Sequence, residues 1–245
     1  MAQSKIRASL FITCLGDQFF PLVGESVVAV LRRLGVEVDF NPAQTCCGQP
    51  AFNSGFPEEA RQVAARVLDI YRDAEYVVAP SGSCTSMIRV FYPELFAGDP
   101  ARLRQAEDLR GRVFEFSEFL VKVLKVEDVG ASFRRRVTYH DSCHLLRELG
   151  IESEPRKLLA AVRGIEIVEM QDNRLCCGFG GTFAVKFPEV SVAMAEDKLR
   201  AAADSGAEII VANDSGCLMH LAGAIHRRGL PLQTMHLAEL LAKQE

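Results

Sequence analysis

Several features that mark large classes of protein are missing from this chain of 245 residues. It has no apolar run approaching the roughly 20 residues that a membrane-spanning helix needs, and its N-terminus lacks the charged-then-apolar layout of a signal peptide. Its longest basic run is the three arginines at 134–136, and the net charge of −4 argues against nucleic acid as a partner. We therefore expect a soluble, cytoplasmic protein with no nucleic-acid partner and no membrane-spanning segment.

Cysteine is too scarce for a disulfide scaffold. The chain has eight cysteines, about 3% of its residues, whereas disulfide scaffolds exceed roughly 8–10%. The rest of the composition, with 49% hydrophobic and 24% charged residues, is typical of a globular chain with one large or two small domains. In a reducing compartment, clustered thiols indicate metal or redox chemistry.

The cysteines form one pattern written twice. The first four are Cys14, Cys46, Cys47 and Cys84, and the last four are Cys143, Cys176, Cys177 and Cys217. Equivalent members lie 129, 130, 130 and 133 residues apart, and a glycine follows each adjacent pair. Such regularity indicates an internal duplication. We predict two repeats, residues 1–130 and residues 131–245, joined near 126–132.

Each repeat alternates short apolar segments with helical ones. Strands are predicted over 8–13, 37–40 and 76–79 in the first repeat and over 136–139, 165–169 and 208–212 in the second. Helices are predicted over 21–34 and 57–74, and over 155–163 and 188–206, and each repeat closes with a strand and a helix within 112–124 or 232–243. This alternation predicts an α/β fold of two Rossmann-like halves, each with a small, mainly parallel sheet covered by helices on both faces.

Every cysteine follows the carboxyl end of a predicted strand. In an open parallel sheet these ends lie at one edge, so three loops remote in sequence can bring four thiols together in each half. Four thiolates complete a ligand shell for an iron–sulfur cluster, zinc or copper(I). The alternative, free cysteines packed as small apolar side chains, gives no reason for adjacent pairs at equivalent places.

Three histidines lie near the second set of cysteines. His140 and His144 flank Cys143, and His220 follows Cys217 by three residues. These histidines could tune a metal site or move protons, and His220 could also ligate the metal, while helix capping and core packing are the alternatives. Asp141 also follows a predicted strand, as does Asp214, and helix capping is a common role for such residues. No catalytic residue is identified, and no dinucleotide fingerprint or P-loop lysine predicts a nucleotide site.

The repeated order of one cysteine, a Cys-Cys-Gly triplet and a further cysteine resembles the cysteine-rich CCG domain. That domain occurs twice in one of the subunits of heterodisulfide reductase and in the iron–sulfur subunits of glycolate oxidase and glycerol-3-phosphate dehydrogenase. The segments 44–51, 80–84 and 216–220 are similar to the stand-alone, two-repeat branch of the family that serves bacterial lactate utilization. The likeness covers essentially the full chain.

This resemblance implies an iron–sulfur electron-transfer subunit of a complex that oxidises L-lactate to pyruvate, with lactate utilization proteins B and C as partners. It implies one or two clusters of the [4Fe-4S] type, held by the eight cysteines. Two alternatives stay open: a zinc-stabilised scaffold of that complex, and a heterodisulfide-reductase-like protein in which an adjacent cysteine pair cycles between dithiol and disulfide. The oligomeric state is not predicted.

The chain departs from the heterodisulfide reductase pattern at one position in each repeat. Those relatives use five cysteines per repeat for a non-cubane [4Fe-4S] cluster, the last two as Cys-x-x-Cys. Here the last position holds Met87 in the first repeat and His220 in the second. Four thiols per repeat still suffice for a conventional cluster or a zinc ion. Because Met87 has few polar neighbours, we predict that the second repeat is the occupied one if only one holds metal.

Overall fold

A computed structural model of the chain describes residues 5–244, and they form two halves of the same construction. The elements of the first half are β1 (Arg7–Leu10), α1 (Cys14–Phe19), α2 (Pro21–Arg33), β2 (Glu37–Asp39), α3 (Gln49–Asn53), α4 (Pro57–Ile70), β3 (Tyr76–Ala79), α5 (Gly82–Ser86), α6 (Tyr92–Leu95), α7 (Pro100–Arg110), β4 (Val113–Glu115) and α8 (Phe116–Glu118). Two π-helical turns, Met87–Phe91 and Phe119–Val123, continue α5 and α8.

The second half repeats this order with fewer helices. Its elements are β5 (Arg136–Tyr139), α9 (Cys143–Arg147), α10 (Ser153–Ala160), β6 (Glu166–Ile167), α11 (Phe183–Lys186), α12 (Pro188–Asp204), β7 (Ile209–Ala212), α13 (Ser215–Arg228), β8 (Gln233–His236) and α14 (Leu237–Ala242). The equivalent long helices α4 and α12 both begin at a proline, whose fixed φ suits the first helical position.

Each half contains one four-stranded parallel sheet. The strand orders are β2-β1-β3-β4 and β6-β5-β7-β8, so the direction of winding reverses between the first and third strands of each half. In register, Ala8 lies between Val38 and Tyr76, and the equivalent Val137 lies between Ile167 and Ile209. The predicted α/β fold with two pseudo-repeated halves is confirmed. The crevice at the point of reversal is where such sheets bind ligands.

The two halves share one hydrophobic core. Helix α2 packs against α14, and α8 packs against α10, so each half contributes an early and a late helix to the interface. Completely buried side chains from these elements fill it, among them Val27, Leu31, Phe119, Leu120, Leu158, Leu159, Leu237 and Leu241. This apolar contact sets the orientation of one sheet edge relative to the other.

The end of strand β1 differs from its prediction, and the boundary between the two repeats stays a prediction. Strand β1 ends at Leu10 rather than continuing to residue 13, because the side chain of Gln44 bonds both backbone groups of Ile12 in place of a neighbouring strand. The connection 124–135 contains no helix and no strand of a sheet, and the boundary placed at 130 within it stays a prediction. Among residues 5–244, no helix is long and apolar enough to cross a membrane.

Candidate metal centre between the two halves

All eight cysteine side chains line a single cavity of about 420 Å³ between the halves. The short helices that follow the cysteine-bearing strands meet there, since α5 packs on α9 and α1 on α13. Gly82 permits the first of these contacts, because a Cβ at this position would lie 2.6 Å from Cβ of Leu145. The sequence predicted that four thiols lie close together in each half. The structure in addition turns the two sets towards one space.

In the first set, sulfur atoms lie near one another in pairs. Sγ of Cys14 is 3.7 Å from Sγ of Cys46, and Sγ of Cys47 is 3.4 Å from Sγ of Cys84. Cys47 and Cys84 are buried, whereas Cys14 and Cys46 are half-buried at the cavity wall. All eight cysteines of the chain are free thiols.

The second set has the same division, with Cys177 and Cys217 buried and Cys143 and Cys176 half-buried. It differs by including a histidine. Ligand atoms of His140, Cys177 and Cys217 all lie within 4.8 Å of one another, a spacing that could hold a metal ion.

A glycine shapes the loop at each adjacent cysteine pair. Gly48 and Gly178 have φ of +88° and +90°, and each donates its N–H to the first sulfur of the pair at 3.4 Å. A Cβ at Gly178 would lie only 2.5 Å from the backbone oxygen of Ser191. Only glycine therefore combines this positive φ with the close approach of helix α12.

These hydrogen bonds favour the thiolate form of Cys46 in the first set and of Cys176 in the second. The pKa of Cys46 is lowered because the thiols of Cys14 and Cys47, and the N–H of Gly48, donate to its sulfur. The pKa of Cys176 is lowered in the same way by Cys143, Cys177 and the N–H of Gly178. Since the thiolate is the form that ligates metals, each set presents a sulfur already prepared for binding.

The three predicted histidines occupy different surroundings. His144 lines the cavity, with Nδ1 3.7 Å from Sγ of Cys143. His220 directs Nε2 at Ser191, 3.2 Å from Oγ and 3.3 Å from the backbone oxygen. Because Oγ of Ser191 donates to the Gly178 oxygen at 2.7 Å, Nε2 of His220 acts as the donor. A ligand role for His220 stays a prediction, and its contacts support the Cys176–Gly178 loop.

His140 is completely buried, and neither of its ring nitrogens has a hydrogen-bond partner within the described residues. A ligand atom of its ring lies within 4.8 Å of the sulfurs of both Cys177 and Cys217. Protein interiors rarely leave such a group unpaired.

The two aspartates near the thiols bond partners that are remote in sequence. Asp214 precedes α13 without a capping bond, and its Oδ1 instead accepts bonds from both Oγ of Ser81 and Oγ of Ser83, each at 2.7 Å, across the interface. Buried Asp141 forms a two-bond ion pair with Arg156, each N–O distance being 2.8 Å. Neither carboxylate caps the helix that follows it, because both bond partners remote in sequence.

Sequence reasoning missed several residues of this centre. Ser191 and Lys198 on α12 lie under the second cysteine loop, where Nζ of Lys198 donates to the backbone oxygen of Asp172 at 2.5 Å. Arg156 fixes Asp141, which immediately follows His140. For Ser191 and Lys198, the sequence signal is a polar residue on the inner face of a predicted helix. That signal does not say which loop the helix covers.

The residues present fit a bound metal. Each set combines four soft thiol donors on three loops, and the second set adds a buried imidazole without a hydrogen bond. The cysteine-rich loops and this cysteine–histidine group indicate a metal-binding site.

Comparison with known proteins places the chain in a class. The family model described as the cysteine-rich domain CCG matches residues 8–89 and again residues 137–222. The chain is thus built from two CCG cysteine-rich domains, one in each half.

Curated relatives narrow this class further. The chain is 48% identical over 237 residues to lactate utilization protein A of an Exiguobacterium species, covering 96% of each chain. It is 45% identical over 236 residues to lactate utilization protein A of Bacillus subtilis, covering 96% of this chain and 99% of that one. The chain belongs to the lactate utilization protein A family.

A solved structure shares the fold. A hypothetical protein from Helicobacter pylori matches with a TM-score of 0.69 at 11% identity, covering 98% of this chain and 49% of that protein. The chain therefore spans about half the length of that protein, and the likeness concerns the fold alone.

Proposed function

We propose that this chain is an iron–sulfur electron-transfer subunit of a bacterial system that oxidises L-lactate to pyruvate. This oxidation releases two electrons and two protons, which need an acceptor. The observation that carries the proposal is the pair of four-thiol sets on one cavity, each with at least one cysteine of lowered pKa. The name shared by its relatives supports lactate as the substrate of the system.

In this proposal the first four cysteines hold one cluster and the last four hold a second. Such a cluster, when bound, supplies one-electron transfer. The protein positions the thiolates, holds Cys46 and Cys176 ready for ligation, and keeps the inner sulfurs Cys47 and Cys177 away from water. Lactate utilization proteins B and C are the proposed partners in electron exchange, and the cytoplasm is the proposed location, where thiols stay reduced.

The test is the content of iron, zinc and acid-labile sulfide per chain, with visible and EPR spectra, on protein purified without oxygen. We expect iron and sulfide in equal amounts, and a brown chromophore that bleaches on reduction. Zinc alone would replace the proposal with a zinc-stabilised scaffold, since structural zinc sites are closed and redox-inactive. Protein that holds no metal after anaerobic purification would exclude both the iron–sulfur subunit and the zinc-stabilised scaffold.

A second candidate function, thiol–disulfide exchange, is favoured by one distance. Sγ of Cys47 lies 3.4 Å from Sγ of Cys84, so a modest movement would bring them to the roughly 2.05 Å of a disulfide. Forming that bond releases two electrons and two protons to an acceptor thiol–disulfide couple. Counting alkylatable thiols in metal-free protein after equilibration with glutathione buffers tests it. A constant count of eight would exclude this function.

A further inference from the structure

The second cysteine set lies beside a buried histidine whose role is unexplained. His140 has no exposed surface, and within residues 5–244 neither Nδ1 nor Nε2 has a hydrogen-bond partner. A buried imidazole carries one donor and one acceptor in its neutral form, and leaving both unpaired is unfavourable. A ligand atom of this ring lies within 4.8 Å of the sulfurs of both Cys177 and Cys217.

The neighbouring histidines are accounted for by protein contacts. Nε2 of His220 bonds Ser191, and Nδ1 of His144 faces Sγ of Cys143. In buried His236, Nε2 lies 3.1 Å from the oxygen of Pro80, and Nδ1 accepts from the N–H of Ala238 at 3.1 Å. Among these four rings, His140 alone lacks a partner while lying against sulfur.

The duplicated fold supplies an internal control for this position. The backbone N–H of His140 donates to the oxygen of Val211 at 2.9 Å, and the N–H of Phe11 donates to the oxygen of Val78 at 2.9 Å. Phe11 is therefore the structural equivalent of His140, and it is also completely buried. The first half thus places a hydrocarbon ring where the second half places an imidazole, so packing at this strand end does not require a polar group.

We infer that His140 is a nitrogen ligand of the metal held by the second cysteine set, whereas the first set offers only sulfur. The inference deepens the proposed function and rests on it for the presence of metal. The backbone bond to Val211 and the ion pair of the adjacent Asp141 with Arg156 hold the segment in place. The imidazole is thereby positioned before metal binds.

The consequence is that the two sites are electronically different. A neutral imidazole adds no negative charge to the second donor set, unlike a further thiolate. The second donor set therefore combines four sulfurs with one nitrogen, whereas the first consists of four sulfurs.

The experiment uses the full chain, reconstituted anaerobically with iron and sulfide and labelled with ¹⁵N-histidine. Pulsed EPR of the reduced protein should show a strong ¹⁵N coupling that His140→Phe abolishes, since Phe11 shows that this strand end accommodates phenylalanine. His144→Ala and His220→Ala are matched controls and should keep the coupling. If His140→Phe fails to fold, His140→Cys replaces it and should retain metal while losing the coupling.

The outcomes separate the inference from the proposed function. If the unaltered chain binds iron and sulfide without a ¹⁵N coupling, or if the coupling persists in the His140→Phe variant, the inference is overturned and the proposed function stays intact. Failure to take up iron and sulfide overturns the proposed function. Titration of metal-free protein with Co²⁺ then tests by itself whether His140 is a metal ligand. We expect His140→Phe to weaken one of two Co²⁺ sites about tenfold or more, while His226→Ala, on the exposed end of α13, binds as the unaltered chain does. Equal Co²⁺ affinities in the His140→Phe variant and the unaltered chain would overturn the inference.

Discussion

The two halves share a backbone but surround their cysteines with opposite chemistry. Four equivalent positions, defined by register and by the contacts of the cysteine loops, are apolar and completely buried in the first half and polar in the second. The pairs are Phe11 and His140, Ala60 and Ser191, Val67 and Lys198, and Met87 and His220.

This contrast separates what duplication preserves from what it releases. The eight cysteines and the glycine at each pair keep their places, because each loop geometry depends on them. The surrounding side chains differ between the halves, and in the proposed function they set the polarity and charge around the metal, which tune its reduction potential. The first half therefore provides a reference for the second within one molecule.

The largest effect is expected from removing one inner thiol at a time. Cys177→Ser should abolish metal retention in the second half, and Cys47→Ser should do so in the first, because a hydroxyl is a poor ligand for soft metals. Metal analysis of the two variants then gives the occupancy of each half separately. A full metal complement in Cys177→Ser would show that this thiol is not a ligand.

A comparison of pH sensitivity concerns the last strand of each half. Burial raises the pKa of Glu115 at the end of β4 to about 8 from an ordinary 4.5, and burial lowers that of the equivalent His236 at the end of β8. A raised pKa means that the folded state binds the proton more tightly. The stability from Glu115 is therefore full below about pH 4.5 and is lost as pH rises through about 8.

Glu115→Gln should remove this decline, which amounts to on the order of 4 kcal/mol in the free energy of unfolding. Denaturant unfolding at several pH values between 5 and 9 measures it. His236→Gln serves as the comparison. A buried neutral imidazole lowers the free energy of unfolding only as pH falls below its ordinary pKa of 6.5, so this variant should change the stability profile below pH 6.5. Identical pH profiles for Glu115→Gln and the unaltered chain would contradict the raised pKa.

A smaller loss is expected at Asp141, whose equivalent in the first half is the apolar Ile12. Asp141→Asn breaks a buried two-bond pair and leaves Arg156 with one carboxylate partner, Glu169, which is 43% exposed. We expect a loss of about 2–3 kcal/mol, less than for a fully buried pair because Arg156 is 26% exposed. Thermal unfolding checks this value. Arg156→Lys keeps the charge but loses the second bond, so its stability should lie between that of Asp141→Asn and that of the unaltered chain.

The smallest effect is expected at Lys198, which corresponds to Val67. Lys198→Met preserves the buried stem and removes a positive charge near Cys176 and Cys177. The reduction potential of the second site should fall, by roughly 60 mV for each 1.4 kcal/mol of lost attraction in a one-electron couple. Arg200→Met on the same helix is the control, because that side chain is 70% exposed and screened by solvent. An equal shift in both variants would mean that burial of Lys198 is irrelevant.

Much of the fold was readable from the sequence. The 129–133-residue spacing identified the duplication, and alternating apolar and helical segments predicted the parallel sheets. Strand β1 was overextended because the apolar run 8–12 gives no sign that Gln44 replaces a neighbouring strand at Ile12. The site was predicted as two separate groups of thiols, and their roles as ligands stay predictions.

The remaining features depend on partners far apart in the chain. His140 and His220 both lie within three residues of a cysteine, and nothing local distinguishes them. Ser191 lies 29 residues before His220 and bonds it, while no comparable group among residues 5–244 bonds the ring of His140. The role of Asp214 likewise depends on Ser81 and Ser83, more than 130 residues away.

The sequence by itself determined the α/β class, the twofold repeat and the convergence of each four cysteines, because strand periodicity and parallel winding are local consequences of residue order. Only the tertiary structure decided that both sets face one cavity and that, within residues 5–244, one buried imidazole lies beside sulfur without a hydrogen-bond partner. The physical reason is that packing between α2 and α14, and between α8 and α10, orients the two sheet edges. Side-chain partners across that interface exist only once this packing has formed.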